Sequence, residues 1–198
     1  MTALTAEWAR GTKSTRKWRP GLGGSLVFAL SILVAVAGFA GVAWAGDPFR
    51  ELGLIQPTRP TAAADFTAPG LNSQPLRLSD FKGRVVFLNF WATWCLPCKE
   101  EMPSMERLYR RYKERRLTVL AVSVDTGGSA PVAAFVKELR LTFPIGLDPR
   151  LEVAGRYKIW ALPSSFLIDR QGNTAAIVNG PRNWDSPPAH TVIETLLK

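Results

Sequence analysis

Three stretches of the chain are apolar almost without interruption, and they predict different objects. Residues 22–45 (L-G-G-S-L-V-F-A-L-S-I-L-V-A-V-A-G-F-A-G-V-A-W-A) carry no charge. About 20 apolar residues, each adding about 1.5 Å of helix, cross a bilayer core, so this stretch predicts a transmembrane helix. Val85–Phe90 (V-V-F-L-N-F) and Leu117–Val124 (L-T-V-L-A-V-S-V) are too short for that. They predict strands buried on both faces.

Between those strands the apolar positions fall at 98, 102, 105, 108, 109 and 112. That spacing predicts a helix over 97–116, with its Arg/Lys-rich face in solvent. Residues 65–79 predict two short strands around a Pro-Gly/Asn-Ser turn. Downstream, residues 130–139 predict a helix with Ser129 as N-cap and Pro131 in its first turn. A short strand (143–147) and a short helix (151–157) follow. Residues 165–169 and 174–178 flank Arg170-Gln171-Gly172-Asn173, a hairpin signal. A helix over 189–198 closes the chain. Prolines 48, 57 and 60 with little periodicity make 46–61 a linker. The expected division is a basic N-terminus (1–21), an anchor (22–45), a linker (46–61) and one α/β domain (62–198). Strands alternating with helices place a central, partly parallel sheet in that domain.

Charge gives the first segment an orientation. The chain has 198 residues and a formal charge of +9. Arg10, Lys13, Arg16, Lys17 and Arg19 stand against Glu7 alone before the apolar run. The positive-inside rule keeps 1–21 in the cytoplasm and exports the rest to the periplasm or an equivalent extracytoplasmic space. Trp18 and Trp44 flank the run, where interfaces favour tryptophan. Ala43-Trp44-Ala45 also has the form of a signal-cleavage site. The length of the run favours a retained anchor over cleavage. No basic cluster is interleaved with aromatics, so no nucleic acid is expected as a partner.

The chemistry rests on two cysteines, Cys95 and Cys98, the only two in the chain. They sit where the strand at 85–90 passes into the helix. A thiol at a helix N-terminus faces unpaired N–H groups and the positive end of the helix dipole. Both favour the reactive thiolate. A second cysteine one turn on can attack a mixed disulfide formed by the first. The alternative is a structural staple, but a four-residue loop yields only about 2 kcal/mol. A staple also needs no helix N-terminus. With His190 as the sole histidine, a four-ligand Cys/His zinc site is excluded and no metal is expected.

Several separated features then resemble the thioredoxin superfamily, and within it the membrane-anchored TlpA/ResA-like thiol-disulfide oxidoreductases. They are Phe90-Trp91-Ala92 before Trp94-Cys95-Leu96-Pro97-Cys98, Pro103 five residues later, and Leu162-Pro163 before Phe166-Leu167-Ile168-Asp169. The resemblance implies a thioredoxin-like fold, a central mixed sheet flanked by helices. It implies Cys95 as attacking thiol and Cys98 as resolving thiol, with the Cys95–Cys98 disulfide as redox centre and no other cofactor. It implies a helix that continues through Pro103, and a cis Pro163 that exposes the Leu162 backbone to an extended substrate. Trp94 and Pro97 join Leu162 and Pro163 as substrate-binding residues, and Trp160 is either rim or core. Ala161 and Ser164-Ser165 replace the Gly and Thr-Thr often found around that proline. Asn89 stands where thioredoxin has a buried aspartate. Glu101, three residues after Cys98 and on its helix face, is the expected proton shuttle. The implied partners are a disulfide-bearing client protein (in cytochrome c or cytochrome oxidase maturation) and a membrane electron donor. A monomer is expected. Two rival functions are a peroxiredoxin-type peroxidase, using Thr93 beside Cys95, and a copper-delivery protein, since two thiolates suit Cu(I).

Overall fold

The computed structural model describes residues 46–198. The basic N-terminus (1–21) and the expected span (22–45) lie outside the described residues. Among the described residues no helix is long and apolar enough to cross a membrane.

Five strands form the central sheet: β3 (Val85–Trp91), β4 (Leu117–Ser123), β5 (Ile145–Leu147), β6 (Ser164–Ile168) and β7 (Thr174–Asn179). Their order is β5-β4-β3-β6-β7. The first three are parallel, and β6 and β7 join antiparallel. Every residue of β3 and β4 is buried, as their unbroken apolar runs require of a sheet covered on both faces. A small hairpin, β1 (Thr67–Pro69) with β2 (Pro75–Arg77), leans on the β5 edge through a Gly70–Gly146 bridge.

The long helix α2 (Leu96–Tyr112) runs through Pro103 without a break. It ends four residues earlier than the pattern predicts. A single 3-10 turn (Lys113–Arg115) and a left-handed Arg116 (φ 68°) reverse the chain into β4. Helix α3 (Ser129–Glu138) corrects the expected cap: Ser129 is its first residue, and Gly128 caps it at φ 89°. Helix α4 (Glu152–Arg156) is short, and α5 (Pro187–Leu197) starts two residues early. The Pro187-Pro188 pair suits a first turn, where proline's missing N–H is not needed.

The segment 46–61, expected as a linker, is largely built into the domain. Asp47 caps a four-residue helix, α1 (Pro48–Glu51), by accepting from the Phe49 N–H. Phe49, Leu52 and Leu54 are buried. Each such side chain contributes about 1.5–3 kcal/mol relative to exposure. Ile55 and Ile177 exchange backbone hydrogen bonds of 2.8 and 2.9 Å, extending the β7 edge. Three buried apolar side chains in so short a run lacked periodicity, so the prolines dominated the prediction. The whole is a thioredoxin-like α/β fold with a central mixed sheet.

Candidate active site

The cysteines lie at the N-terminus of α2 and form a disulfide, with Cα atoms 5.3 Å apart. Cys95 is the N-cap, and its Sγ accepts from the Cys98 N–H at 3.3 Å. A helix N–H that would otherwise be unpaired therefore points at the sulfur that would carry negative charge, which favours thiolate there. Lys99, the cationic residue after Cys98, is paired with Glu138 at 2.8 Å. Cys98 has no exposed surface, whereas Cys95 keeps 5%. Of the two sulfur-bearing residues, only Cys95 reaches the surface.

The loop before Cys95 is held from below. Asp125, just past β4, accepts from the Thr93 N–H (3.0 Å), the Thr93 hydroxyl (2.5 Å) and the Ser123 hydroxyl (2.7 Å). The Cys95 N–H donates to the Ala92 carbonyl at 3.1 Å. These bonds fix the turn that presents Cys95. They also commit the Thr93 hydroxyl as a donor to Asp125, away from the role a peroxidase would give it.

In front of Cys95 opens an apolar groove of about 860 Å³. Trp94, Leu96 and Pro97 line one side, and Ile159, Trp160 and Leu162 the other. Trp94 and Trp160 are 71% and 80% exposed. Trp160 is therefore rim, not core. The Leu162–Pro163 peptide is cis. Leu162 reaches the groove, while Pro163 is buried behind it. The Pro163 carbonyl accepts from the Gly180 N–H at 2.8 Å. Ser164 fastens the same loop, donating to the Ala161 carbonyl at 2.7 Å.

Behind the cysteines the surroundings are polar. Glu101, one turn beyond Cys98 on α2, is buried. Its Oε1 accepts from Asn89 Nδ2 at 2.9 Å. Its Oε2 accepts from the Arg182 N–H and from Trp184 Nε1, both at 3.1 Å. Burial disfavours the charged carboxylate, and these three donors only partly offset it. The Glu101 pKa is raised to about 7. Asn89 also donates to Ser165 Oγ at 3.0 Å, while its Oδ1 is buried without a partner. A half-turn of that amide would offer Oδ1 to a protonated Oε1. The buried asparagine thus serves either protonation state of the acid.

The structure thus gathers Trp94, Cys95, Pro97 and Leu162 at the groove, puts Glu101 one helical turn beyond Cys98, and buries Pro163 next to Leu162. Sequence reasoning missed Asp125, Arg182 and Trp184. Trp184 lay in a polar stretch between predicted elements. An isolated tryptophan there was the one available signal, since a buried indole N–H seeks an acceptor. His190 binds Asp185 at 3.1 Å and stacks near Tyr112 at the far end of α2. Tyr112 is 14 residues beyond Cys98, roughly 21 Å along the helix. His190 and the cysteines therefore do not form one ligand set.

A thioredoxin-like fold carrying a helix-capped C-x-x-C pair defines a thiol-disulfide oxidoreductase. Comparison with known proteins narrows the class. The AhpC/TSA family pattern matches residues 60–177. Thiol-disulfide oxidoreductase ResA of Bacillus cereus is 37% identical over 155 residues, covering 78% of this chain and 88% of that one. ResA of Geobacillus kaustophilus is 42% identical over 130 residues, 66% and 74% of the two chains. A thiol:disulfide interchange protein of the thioredoxin family from Chlorobium tepidum superposes with a TM-score of 0.63 at 26% identity. It covers 72% of this chain and 99% of that one. The chain belongs to the AhpC/TSA family and, within it, to the ResA thiol-disulfide oxidoreductases.

Proposed function

We propose that the protein reduces disulfides in exported client proteins, with Cys95 attacking and Cys98 resolving. The observation that carries this is the two-sided site: Cys95 lining an open groove and keeping a trace of exposed surface, and a fully buried Cys98 one helical turn from a buried acid. In the reduced enzyme the Cys95 thiolate attacks one client sulfur. The client disulfide breaks, a Cys95–client bond forms, and the first client thiolate leaves. Cys98 then loses its proton and attacks Cys95. The Cys95–Cys98 disulfide forms and the second client thiolate leaves. Two electrons pass to the client, and the enzyme ends in the oxidised state seen here. Glu101 takes the Cys98 proton, and its pKa of about 7 suits that exchange near neutral pH. Trp94, Pro97, Leu162 and Pro163 hold the client strand.

The chain is anchored by residues 22–45 with the domain outside the cytoplasmic membrane, where disulfide clients occur. It acts as a monomer, needs no cofactor beyond its own disulfide, and binds no nucleic acid. Its clients are apocytochromes c or the copper-site cysteines of cytochrome oxidase. A membrane protein returns the electrons. The test is a Cys98→Ala variant expressed in cells. Cys95 should hold its client as a mixed disulfide that mass spectrometry identifies. Absence of any trapped species would contradict the reading. Peroxide consumption by the wild type at a rate exceeding client reduction would favour the peroxidase instead.

A further inference from the structure

We propose that Arg182 is a positioning residue that clamps the N-terminal strap, residues 47–55, to the loop holding Glu101, and so tunes the proton exchange of that acid. The inference rests on the Glu101 role given above. Arg182 works with both its ends. Its backbone N–H donates to Glu101 Oε2 at 3.1 Å. Its guanidinium Nε donates to the Leu52 carbonyl at 2.5 Å. Leu52 is the C-cap of α1, and Gly53 follows at φ +64°, a conformation L-residues rarely adopt. A Cβ on Gly53 would also come within 3.0 Å of Arg182 Nη2. Gly53 is thus needed for its backbone conformation, and a side chain there would press on the guanidinium.

Each end of this clamp is itself fixed. The strap is held by buried Phe49, Leu52 and Leu54 and by the paired Ile55–Ile177 bonds. The loop is held by Gly180 donating to the Pro163 carbonyl and by the Trp184 N–H donating to Ser104 Oγ at 3.0 Å. Residues 180–184 therefore meet the strap, the acid and the cis-proline at once. A cleft of about 350 Å³, lined by Glu100, Glu101, Ser104, Arg107 and Arg182, opens beside the carboxyl. It offers the acid a route to solvent between α2 and the 181–183 loop.

The groups facing Glu101 set the direction of the effect. Asn89 from β3 and Trp184 from the loop are neutral donors. Arg182 favours the carboxylate both by hydrogen bond and by charge. Glu100 and Arg107, of opposite sign, line the cleft on α2, and the cysteine pair is one turn back on the same helix. Releasing the clamp loosens two of the three donors, and replacing Arg182 also removes a nearby positive charge. Glu101 should then hold its proton more tightly.

The test follows the Glu101 carboxyl by carbon NMR across a pH titration of the full-length oxidised protein. Arg182→Met should raise the midpoint by about half a unit or more, roughly threefold in proton affinity. Gly53→Ala acts from the strap side and should move it the same way. Arg182→Lys keeps a cation and a donor and should restore most of the wild-type value. A midpoint unchanged or lowered in both Arg182→Met and Gly53→Ala overturns the proposal. If Arg182→Met does not fold, Gly53→Ala decides alone: a raised midpoint supports the clamp, and an unchanged or lowered one overturns it. Glu101→Gln separates the two readings. If it leaves the pH profile of mixed-disulfide resolution intact, the Glu101 role fails and the clamp with it. If it removes the profile while the clamp variants leave the midpoint in place, the clamp alone fails.

Discussion

The two sides of one disulfide are built from opposite materials. In front of Cys95 stand Trp94, Leu96 and Trp160, large apolar side chains left exposed around an open groove. Behind Cys98 stand Asn89, Glu101, Ser104 and Trp184, polar groups withdrawn from water and tied to one another. Exposed apolar surface sacrifices burial free energy, and it is regained only when a partner covers it. A buried carboxyl accepts a desolvation cost, and the return is a proton held near neutral pH. The front is thus suited to recognising a chain, and the back to moving a proton. The disulfide is where the two meet.

The sharpest way to break this comparison is to swap the roles of the sulfurs. Cys95→Ser should reduce turnover of a disulfide-bearing peptide to background. Cys98→Ala should stop turnover at the mixed disulfide, which non-reducing mass measurement would detect. Equal behaviour of the two variants would mean that front and back are not distinct.

The next effect lies in stability. The native pKa of Glu101 is raised above its ordinary value, so its protonated form is the better tolerated in the fold. Its stabilising contribution is full below about pH 4.5 and is lost as pH rises to about 7, an effect of about 3 kcal/mol. Glu101→Gln should remove that decline, as read by denaturant unfolding at pH 4.5 and pH 8. A wild type with equal stability at both values would mean that the carboxyl is not held as described. Asp125→Ala should cost about 1–3 kcal/mol through the unpaired Thr93 and Ser123 donors. It should also slow alkylation of reduced Cys95, because the loop presenting it loosens. The smallest effect belongs to the front. Trp94→Ala and Trp160→Ala should each weaken client binding by about 1–2 kcal/mol, roughly tenfold in KM. Unfolding free energy should move by less than about 0.5 kcal/mol. A large stability loss would assign these rings to packing.

How far the sequence anticipated this differs between the two sides. The front was legible because its residues are contiguous: Trp94 to Cys98 follow one another, and Leu162-Pro163 is a marked dipeptide. The strands were legible because unbroken apolar runs have one solution in a covered sheet. The back was half legible. Glu101 and Asn89 could be paired through helix spacing and the family likeness. Arg182 and Trp184 lie 81 and 83 residues from Glu101 in sequence, and Arg182 acts through a backbone N–H that every non-proline residue owns. The strap failed for a related reason. Its fit comes from tertiary burial of Phe49, Leu52 and Leu54, while local composition argued for a linker. Capping failed at Ser129 because Gly128 could take the positive φ that the turn demands.

The division between front and back is tested most directly by resolution of a chromogenic adduct. Reduced protein is derivatised at Cys95 with a nitrothiobenzoate group, and Cys98 attack releases the coloured thiolate. Rates are followed across pH 5–9 for wild type and Glu101→Gln. The wild type should show a limb with a midpoint near 7, the raised pKa of the buried carboxyl, and the variant should lack it. The same limb in both proteins would contradict the account.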